Sequence, residues 1–370
     1  MFEGGAAAML DQVNGSSWNE PPRPLIEGPS AWIGAELRAR PETWTYTLSA
    51  DEIAEIEAAV AAVLAQGIDV ADITRDRFPL PHFGRTLDAL CREILQGRGF
   101  VVIRGLPVDG KPILENAIAY CGIGSYFGAM CSQNAKGHLL GHVRDLGGPT
   151  AAVDPTVRAY HTAERQMFHT DGSDIVGLLC LRQARSGGLS SITSSMAMYN
   201  RMATERPDLV RRLFAPLPFD RRGEVPEGML PFYMIPVFTD YAGQLSVGYT
   251  RRNINSSQRH PEAPRLSPED IEALDMFDAL ANDRDLRLDM VLQPGDMQFL
   301  HNHTVVHDRT AFEDWPEPER KRHLLRLWLA SPTARPLDPI LAQRFGSVEI
   351  GSRGGIHCPG ARLHAPLEPA

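Results

Sequence analysis

The stretch "RHLLRLWLAS" (residues 322–331) can be read in two ways, and the choice decides the fold. Read as a strand, it places Arg322, Leu324, Arg326 and Trp328 on one face and His323, Leu325, Leu327 and Leu329 on the other. Read as a helix, it carries a solvated arginine pair at i and i+4. Leu and Trp alternate with the arginines, which favours the strand. Two guanidiniums on one face of a largely apolar strand need anionic partners, because an unpaired buried charge is very costly. The arginine fork is well matched to a carboxylate.

Upstream, from about residue 155, the chain offers further short apolar runs broken by turns. They are "DIVGLLCLRQA" (174–184), "GLSSITSS" (188–195), "PVFTDYAGQLSVGYT" (236–250) and "RLDMVLQPGDMQFLH" (287–301). One clear helix interrupts them: "SPEDIEALDMFDALAND" (267–283), with Ser267 as N-cap, Pro268 at the first helical position and acidic residues in the first turn. Before this region, "LSADEIAEIEAAVAAVLAQG" (48–67) reads as a helix with Ser49 as N-cap, Glu52 completing a capping box and Gly67 at the C-terminal position. "GRGFVVIRGLPV" (97–108) follows as a strand, so helix then sheet is the expected opening order. Irregularly spaced strands with one long helical insertion suit a β-sandwich or jelly roll better than a parallel α/β fold.

The 370 residues, 43% hydrophobic and 22% charged, have the balance of a soluble globular protein. A formal net charge of -9, with arginines scattered along the chain, argues against a nucleic-acid partner. The N-terminus lacks the basic start and apolar core of a secretory signal, and no stretch approaches the ~20 apolar residues that span a bilayer. No membrane association and a cytoplasmic location are therefore expected. Five widely spaced cysteines without C-x-x-C pairs read as reduced thiols, not as a disulfide framework or zinc ribbon. The organisation expected is an N-terminal arm over 1–45, one domain over 46–335 with the helical insertion near 267–283, and a C-terminal tail over 336–370. Arm and tail are candidates for subunit contacts in a homo-oligomer.

Chemistry enters with "FHTDG" (168–172). In a strand, residues i and i+2 face the same way, so His169 and Asp171 aim an imidazole and a carboxylate at one point while Thr170 faces away. A divalent metal held by these two needs a further ligand, and "HNHTVVHDRTAFED" (301–314) offers His301, His303 and His307. By itself an H-x-D is weak evidence and is commonly a hydrogen-bonded turn.

Four features occur in order: H-x-D, then "SGGLSS" (186–191), then G-D-x-x-F-x-x-N-x-x-x-x-H-x-R-T-A-F (295–312), then R-x-x-x-R (322–326). Jointly they resemble the taurine dioxygenase (TauD/TfdA) family of Fe(II)- and 2-oxoglutarate-dependent oxygenases, from about residue 80 to 332. The resemblance implies a mainly β, α+β fold with flanking helices, the double-stranded β-helix (jelly roll) of the clavaminate synthase-like type. It implies that His169, Asp171 and His307 are the facial triad for Fe(II), with 2-oxoglutarate and O2 as co-substrates. Arg322 would grip the distal carboxylate of 2-oxoglutarate, with Ser190 beside it where the family commonly has Thr. Arg326 would serve either the other cofactor carboxylate or an anionic substrate. Asn302 would support the ligands from behind. Asp308 stands where the family commonly has Gly, and it would orient His307 or pair with Arg309. His301 and His303 have no ligand role in this scheme.

The reaction so implied is oxidation of an unactivated C–H bond of a small molecule, with release of succinate and CO2. Asp171 fills the place where a halogenase binds halide, which favours hydroxylation; desaturation, ring formation and dealkylation stay open. Substrate contacts are expected from "SQNAKGHLLGHVRD" (132–145) and "YTRRNINSSQRH" (249–260), with Gln133, Asn134, Arg251 and Arg252 as candidates. A carboxylate or sulfonate substrate is expected if Arg326 does not serve the cofactor, and a neutral aromatic or terpenoid-like one is the alternative. Two other readings of the triad are a zinc hydrolase, in which Arg322 has no task, and a non-catalytic jelly-roll binding protein.

Overall fold

The computed structural model describes residues 23–148, 157–225, 228–356, 358 and 360–369; the first half of the N-terminal arm lies outside the described residues. Two facing sheets form the centre. The major sheet is built from β1 (Thr45–Thr47), β2 (Phe100–Arg104), β3 (Ala129–Met130), β4 (Leu140–Val143), β6 (Ile175–Arg182), β9 (Met297–His301) and β11 (His323–Ala330). Its order is β1-β2-β9-β6-β11-β3, with β4 also pairing β11. The minor sheet is built from β5 (Gln166–His169), β7 (Ser190–Ser194), β8 (Arg287–Met290) and β10 (Val305–Arg309), in the order β8-β7-β10-β5. Apart from the parallel β1–β2 pair, the strands of both sheets run antiparallel.

The alternation in 322–329 does what its period requires. Leu325, Leu327 and Leu329 pack outward against the helices Ala50–Gln66, Phe83–Gln96 and Ile113–Gly124, while Leu324 and Trp328 point between the sheets beside Val176, Ile192 and Leu300. A third cluster covers the outer side of the minor sheet. It joins Phe168 and Val306 to the helices Ser195–Glu205, Pro207–Phe214 and Pro268–Ala281. The predicted capping box of Ser49 with Glu52 is made, and Ser267, predicted as an N-cap, forms a second one with Asp270. Gly67 closes the first of these helices at φ 64°, a left-handed conformation that suits glycine.

Several local expectations need correction. The edge strand β1 precedes the first long helix, so the opening order is not helix then sheet. More than one helix interrupts the β region, because "SSMAMYNRMATERPDLVRRLF" forms two, and Arg251–Ser257 a third. The first two bury Met198, Tyr199 and Met202, and Leu209, Val210 and Leu213, in the cluster on the minor sheet, so packing fixes helices whose apolar faces are short. Within the described part of the arm, Gly34–Arg38 is helical, and Gly34 lies so close to β8 that an added Cβ would stand 2.2 Å from the Arg287 carbonyl. Trp32 is buried against Phe100 and donates its indole N–H to the Arg98 carbonyl. The C-terminal tail folds back over its own domain. Arg353 is buried and its guanidinium grips Asp174 through Nε at 2.8 Å and Nη2 at 2.7 Å, so that Gly355 N–H reaches the Gly172 carbonyl. Cys91, Cys121, Cys131 and Cys180 are buried free thiols and Cys358 is half-buried. Among the described residues, no helix is long and apolar enough to cross a membrane.

Candidate metal and co-substrate site

β5 and β10 are neighbours in the minor sheet, and their register sets His169 opposite His307. The two rings lie with centroids 4.1 Å apart. β5 ends at His169, and Asp171 sits in the turn just beyond it, so the strand geometry expected for H-x-D holds for only its first half. Side-chain hydrogen bonds complete the arrangement. Thr170 turns away to Tyr249, accepting from its backbone N–H at 3.0 Å, and Asn302 Oδ1 accepts the Asp171 N–H at 3.0 Å. Asn302 Nδ2 donates to the Ser173 carbonyl at 3.0 Å, so one amide side chain fixes the turn on both sides of Gly172.

The three side chains converge. Asp171 Oδ1 lies 3.8 Å from His169 Nε2, Asp171 Oδ2 lies 3.7 Å from His307 Nε2, and all three residues are buried. His169 Nδ1 donates to the Met167 carbonyl at 2.8 Å, which fixes the tautomer and leaves the Nε2 lone pair toward the cluster. Gln166 Nε2 lies 2.9 Å from that lone pair. Asp171 Oδ2 is buried and has no hydrogen-bond partner, an expensive condition unless a cation satisfies it. Burial raises the Asp171 pKa, but Arg326, His307 and His169 outweigh it and hold the carboxyl at about 2. Burial, with His169 beside it, brings His307 down to about 3, and burial also lowers His169. Two neutral imidazoles and an ionised carboxylate are the donor set a non-haem iron facial triad requires, so the residues fit Fe(II).

The cluster stands where a narrow cleft meets a broad cavity of about 720 Å³. Arg322, Ser190, Leu178 and Leu324 line the cleft. Arg322 is buried, lies 5.1 Å over the Phe312 ring, and has an Nη1 with no partner. Burial lowers its pKa to about 10, which still leaves it charged at neutral pH. In "SGGLSS" Gly188 makes room for it, while Gly187 lies against the Ala311 carbonyl. Gly187 and Gly188 have φ 74° and 69°, and a Cβ on Gly188 would stand 2.9 Å from Arg322 Nε. Ser190 donates its hydroxyl to Gln298 at 2.9 Å, which leaves lone pairs but no proton for a cofactor carboxylate unless the hydroxyl turns.

Arg326 reaches both spaces. Its Nη1 lies 3.7 Å from Asp171 Oδ2, its Nε donates to Gln133 at 2.7 Å, and its guanidinium sits 4.4 Å from the Tyr160 ring centroid. Gln133, expected as a substrate contact, borders the cavity and clamps Arg326. Asn134 is not brought there: its Oδ1 accepts the N–H groups of Lys136 and His138 and closes a turn. Arg251 lines the cavity with its charge committed to Asp275 at 2.7 Å and Asp278 at 2.9 Å on the neighbouring helix. Arg252 lines it too and donates to the Val157 carbonyl at 2.8 Å. Asp308 does not pair with Arg309. It pairs with Arg165 at 2.7 Å, while Arg309 donates to the backbone carbonyls of Thr162 and Glu164. His303 bonds Asp174 at 3.0 Å, whereas His301 bonds Thr304 through Nδ1 and leaves Nε2 without a partner.

In linear order the arginines look scattered apart from a few doublets. In the fold, eight of them line the broad cavity against four carboxylates among the described residues. The doublets "RRG" (221–223) and "RRN" (251–253) were the available signal. Tyr160 and Gln166, which lie beside Arg326 and His169, carried none.

Comparison with known proteins accords with this geometry. The model of the family described as "Taurine catabolism dioxygenase TauD, TfdA family" matches residues 64–328. The FR-33289 synthase of Streptomyces rubellomurinus (strain ATCC 31215) is 34% identical over 330 residues, covering 87% of this chain and 95% of that protein. The taurine hydroxylase-like protein SAT17 of Stachybotrys chartarum (strain CBS 109288 / IBT 7711) is 30% identical over 305 residues, covering 80% and 77%. Among solved structures, asparagine oxygenase in complex with Fe(II), 2S,3S-3-hydroxyasparagine and succinate shares the fold at TM-score 0.60 and 19% identity, covering 77% of this chain and 93% of that one. With its jelly roll, its His/Asp/His cluster and this family match over most of its length, the chain belongs to the TauD/TfdA family and is a non-haem Fe(II), 2-oxoglutarate-dependent dioxygenase.

Proposed function

We propose that His169, Asp171 and His307 hold the iron, that Arg322 anchors 2-oxoglutarate, and that the enzyme hydroxylates a small anionic molecule seated in the arginine-lined cavity. The observation that supports this most directly is the buried Asp171 Oδ2, without a hydrogen bond and converging with His169 and His307, at the junction of two spaces, one lined by Arg322 and the other by the arginines. The iron and 2-oxoglutarate, when bound, supply O2 activation; substrate C–H, 2-oxoglutarate and O2 become C–OH, succinate and CO2. Three protein donors would hold the iron and leave room on it for the keto acid and O2.

The chain's own residues position and insulate. Arg322 lies in an apolar cleft where a charged hydrogen bond to a carboxylate is strong. Arg326, clamped by Gln133 and stacked on Tyr160, stays beside Asp171 and presents its remaining donors to whatever anion approaches the metal. Asn302 keeps Asp171 aimed by holding the turn backbone. A hydrolytic zinc site would leave Arg322 without a task.

The test is anaerobic. Fe(II) and 2-oxoglutarate are added to metal-free protein and the weak visible charge-transfer band of a chelated keto acid is recorded, with His169→Ala and Arg322→Ala alongside. The band should vanish in the first variant and need far more 2-oxoglutarate in the second. A wild-type band that survives in His169→Ala overturns the ligand assignment. If the band behaves as expected, succinate release becomes the assay for anionic substrates.

A further inference from the structure

We propose that Arg344 is a positioning residue of the metal centre: it fixes the backbone on both sides of Asp171 and so sets where that carboxylate points. This rests on the reading of His169, Asp171 and His307 as the iron ligands. Arg344 lies beyond residue 328, where the match to the family model ends, in the part of the chain expected to be a C-terminal tail.

The need for it arises where β5 stops. His169 is the last residue of that strand, so Asp171 lies outside the ladder and its backbone groups must find other partners. The segment 342–355 supplies them carbonyl by carbonyl. One nitrogen of Arg344, Nη2, donates to the Thr170 carbonyl at 2.6 Å and to the Asp171 carbonyl at 3.1 Å. The Gly355 N–H takes the next carbonyl, that of Gly172, at 2.7 Å. Arg353 ends the row on the Asp174 carboxylate, which also bonds His303 Nε2 at 3.0 Å and accepts the Ser331 N–H at 3.1 Å.

These bonds bear directly on the Asp171 side chain. The 170–171 and 171–172 peptide units are each planar, so the direction of the Asp171 Cα–Cβ bond follows from how the two planes are set. Arg344 Nη2 holds the carbonyl of each plane, and Asn302 Oδ1 holds the N–H of the first at 3.0 Å. A charged donor makes the stronger hydrogen bond, so the guanidinium is a firm tie for two neutral carbonyls.

Packing places Arg344, since its own helix, Ala342–Phe345, has only four residues. Leu341 and Phe345 beside it are buried in the cluster outside the minor sheet, and the Phe345 ring centroid lies 5.6 Å from that of His303. Gly248 leaves space for the guanidinium: a Cβ there would stand 3.0 Å from Arg344 Nη1. Arg353 is 1% exposed and anchors the segment, whereas Arg344 is half-buried at the edge of the broad cavity, which makes it the residue to vary.

The experiment titrates Fe(II) anaerobically into the metal-free full chain with 2-oxoglutarate present, and records both the affinity and the position of the keto-acid band. Arg344→Gln should weaken Fe(II) binding about tenfold or more and shift the band, because the carboxylate meets the metal from a different direction. Arg344→Lys, which keeps one charged donor, should recover part of both. The melting temperature of each metal-free variant is read alongside. A purely structural role lowers it and leaves the affinity and band of the folded protein unmoved, and that result in Arg344→Gln overturns the proposal. If Arg344→Gln does not fold, Arg344→Lys and Gly248→Ala carry the test, and unchanged affinity and band in both overturn it. His169→Ala separates the two readings: Fe(II) bound as tightly there as in the wild type shows that the ligand assignment itself has failed, whatever Arg344 does.

Discussion

Gln133 and Arg326 hold each other at both ends: Gln133 Oε1 accepts Arg326 Nε at 2.7 Å, and Gln133 Nε2 donates to the Arg326 carbonyl at 2.8 Å. The same Nε2 donates to the Leu139 carbonyl at 3.0 Å. Gly141 is part of this lock, since a Cβ there would stand 2.4 Å from Gln133 Oε1. Gln133→Ala leaves a buried guanidinium N–H and two carbonyls short of a partner, and should cost about 1–3 kcal/mol of stability. Denaturant unfolding measures this. Gly141→Ala, which pushes Gln133 aside without removing it, should give a loss of the same sign.

Asn302 touches none of the atoms that would meet the metal, yet it fixes the backbone that carries Asp171. Residues in that position typically change metal affinity by about 10–100-fold when lost. Asn302→Ala should therefore weaken Fe(II) binding by that order, read by metal titration under anaerobic conditions. Unchanged affinity would show that the turn holds its shape without the amide.

Gly188 offers a test of Arg322 that leaves the arginine in place. Gly188→Ala places a Cβ against Arg322 Nε at a φ that disfavours alanine. The KM for 2-oxoglutarate should rise while kcat at saturation changes little, because the weakened interaction serves the ground and transition states equally. Arg322→Ala removes the guanidinium outright and should cost about 2–5 kcal/mol in 2-oxoglutarate binding.

Acid should destabilise the metal-free protein well before its carboxylates titrate. Burial first, and for His323 also His142 and Arg182, holds His303 at about 4 and His323 at about 3, and burial with Arg335 holds His301 well below its usual value. The unfolded chain takes up these protons near pH 6.5 and the folded one does not. Their contribution to stability is therefore full above pH 6.5 and declines as pH falls through that value toward the folded pKa. At pH 5 each such group costs about 2 kcal/mol. Melting temperature measured from pH 7.5 to pH 5 should fall steadily, and a flat profile contradicts the burial of neutral imidazoles. Asp171 acts lower: its depressed pKa adds stability above about pH 4, lost as pH falls toward 2.

The strand at 323–330, the helices begun by Ser49 and Ser267, and the glycine end at Gly67 were legible from the sequence because each depends on neighbours within a few residues. The order H-x-D, Gly-Gly, distal histidine, paired arginines was legible for the same reason, and it carried the family. The helices at 195–214 were not, because their apolar faces are short and only packing against the minor sheet reveals them.

Tertiary structure alone decided the rest. It set His169 opposite His307, gave Asp308 to Arg165 instead of Arg309, committed Arg251 to Asp275 and Asp278, and made Gln133 a clamp while leaving Asn134 in a turn. It also turned arginines that look scattered in a chain of net charge -9 into the wall of one cavity. The physical reason is common to all of these. Periodicity and capping are written in local spacing, whereas strand register, ion-pair choice and the charge of a cavity depend on which distant segments pack together, and a guanidinium's partner is fixed only once the fold has placed the competing carboxylates.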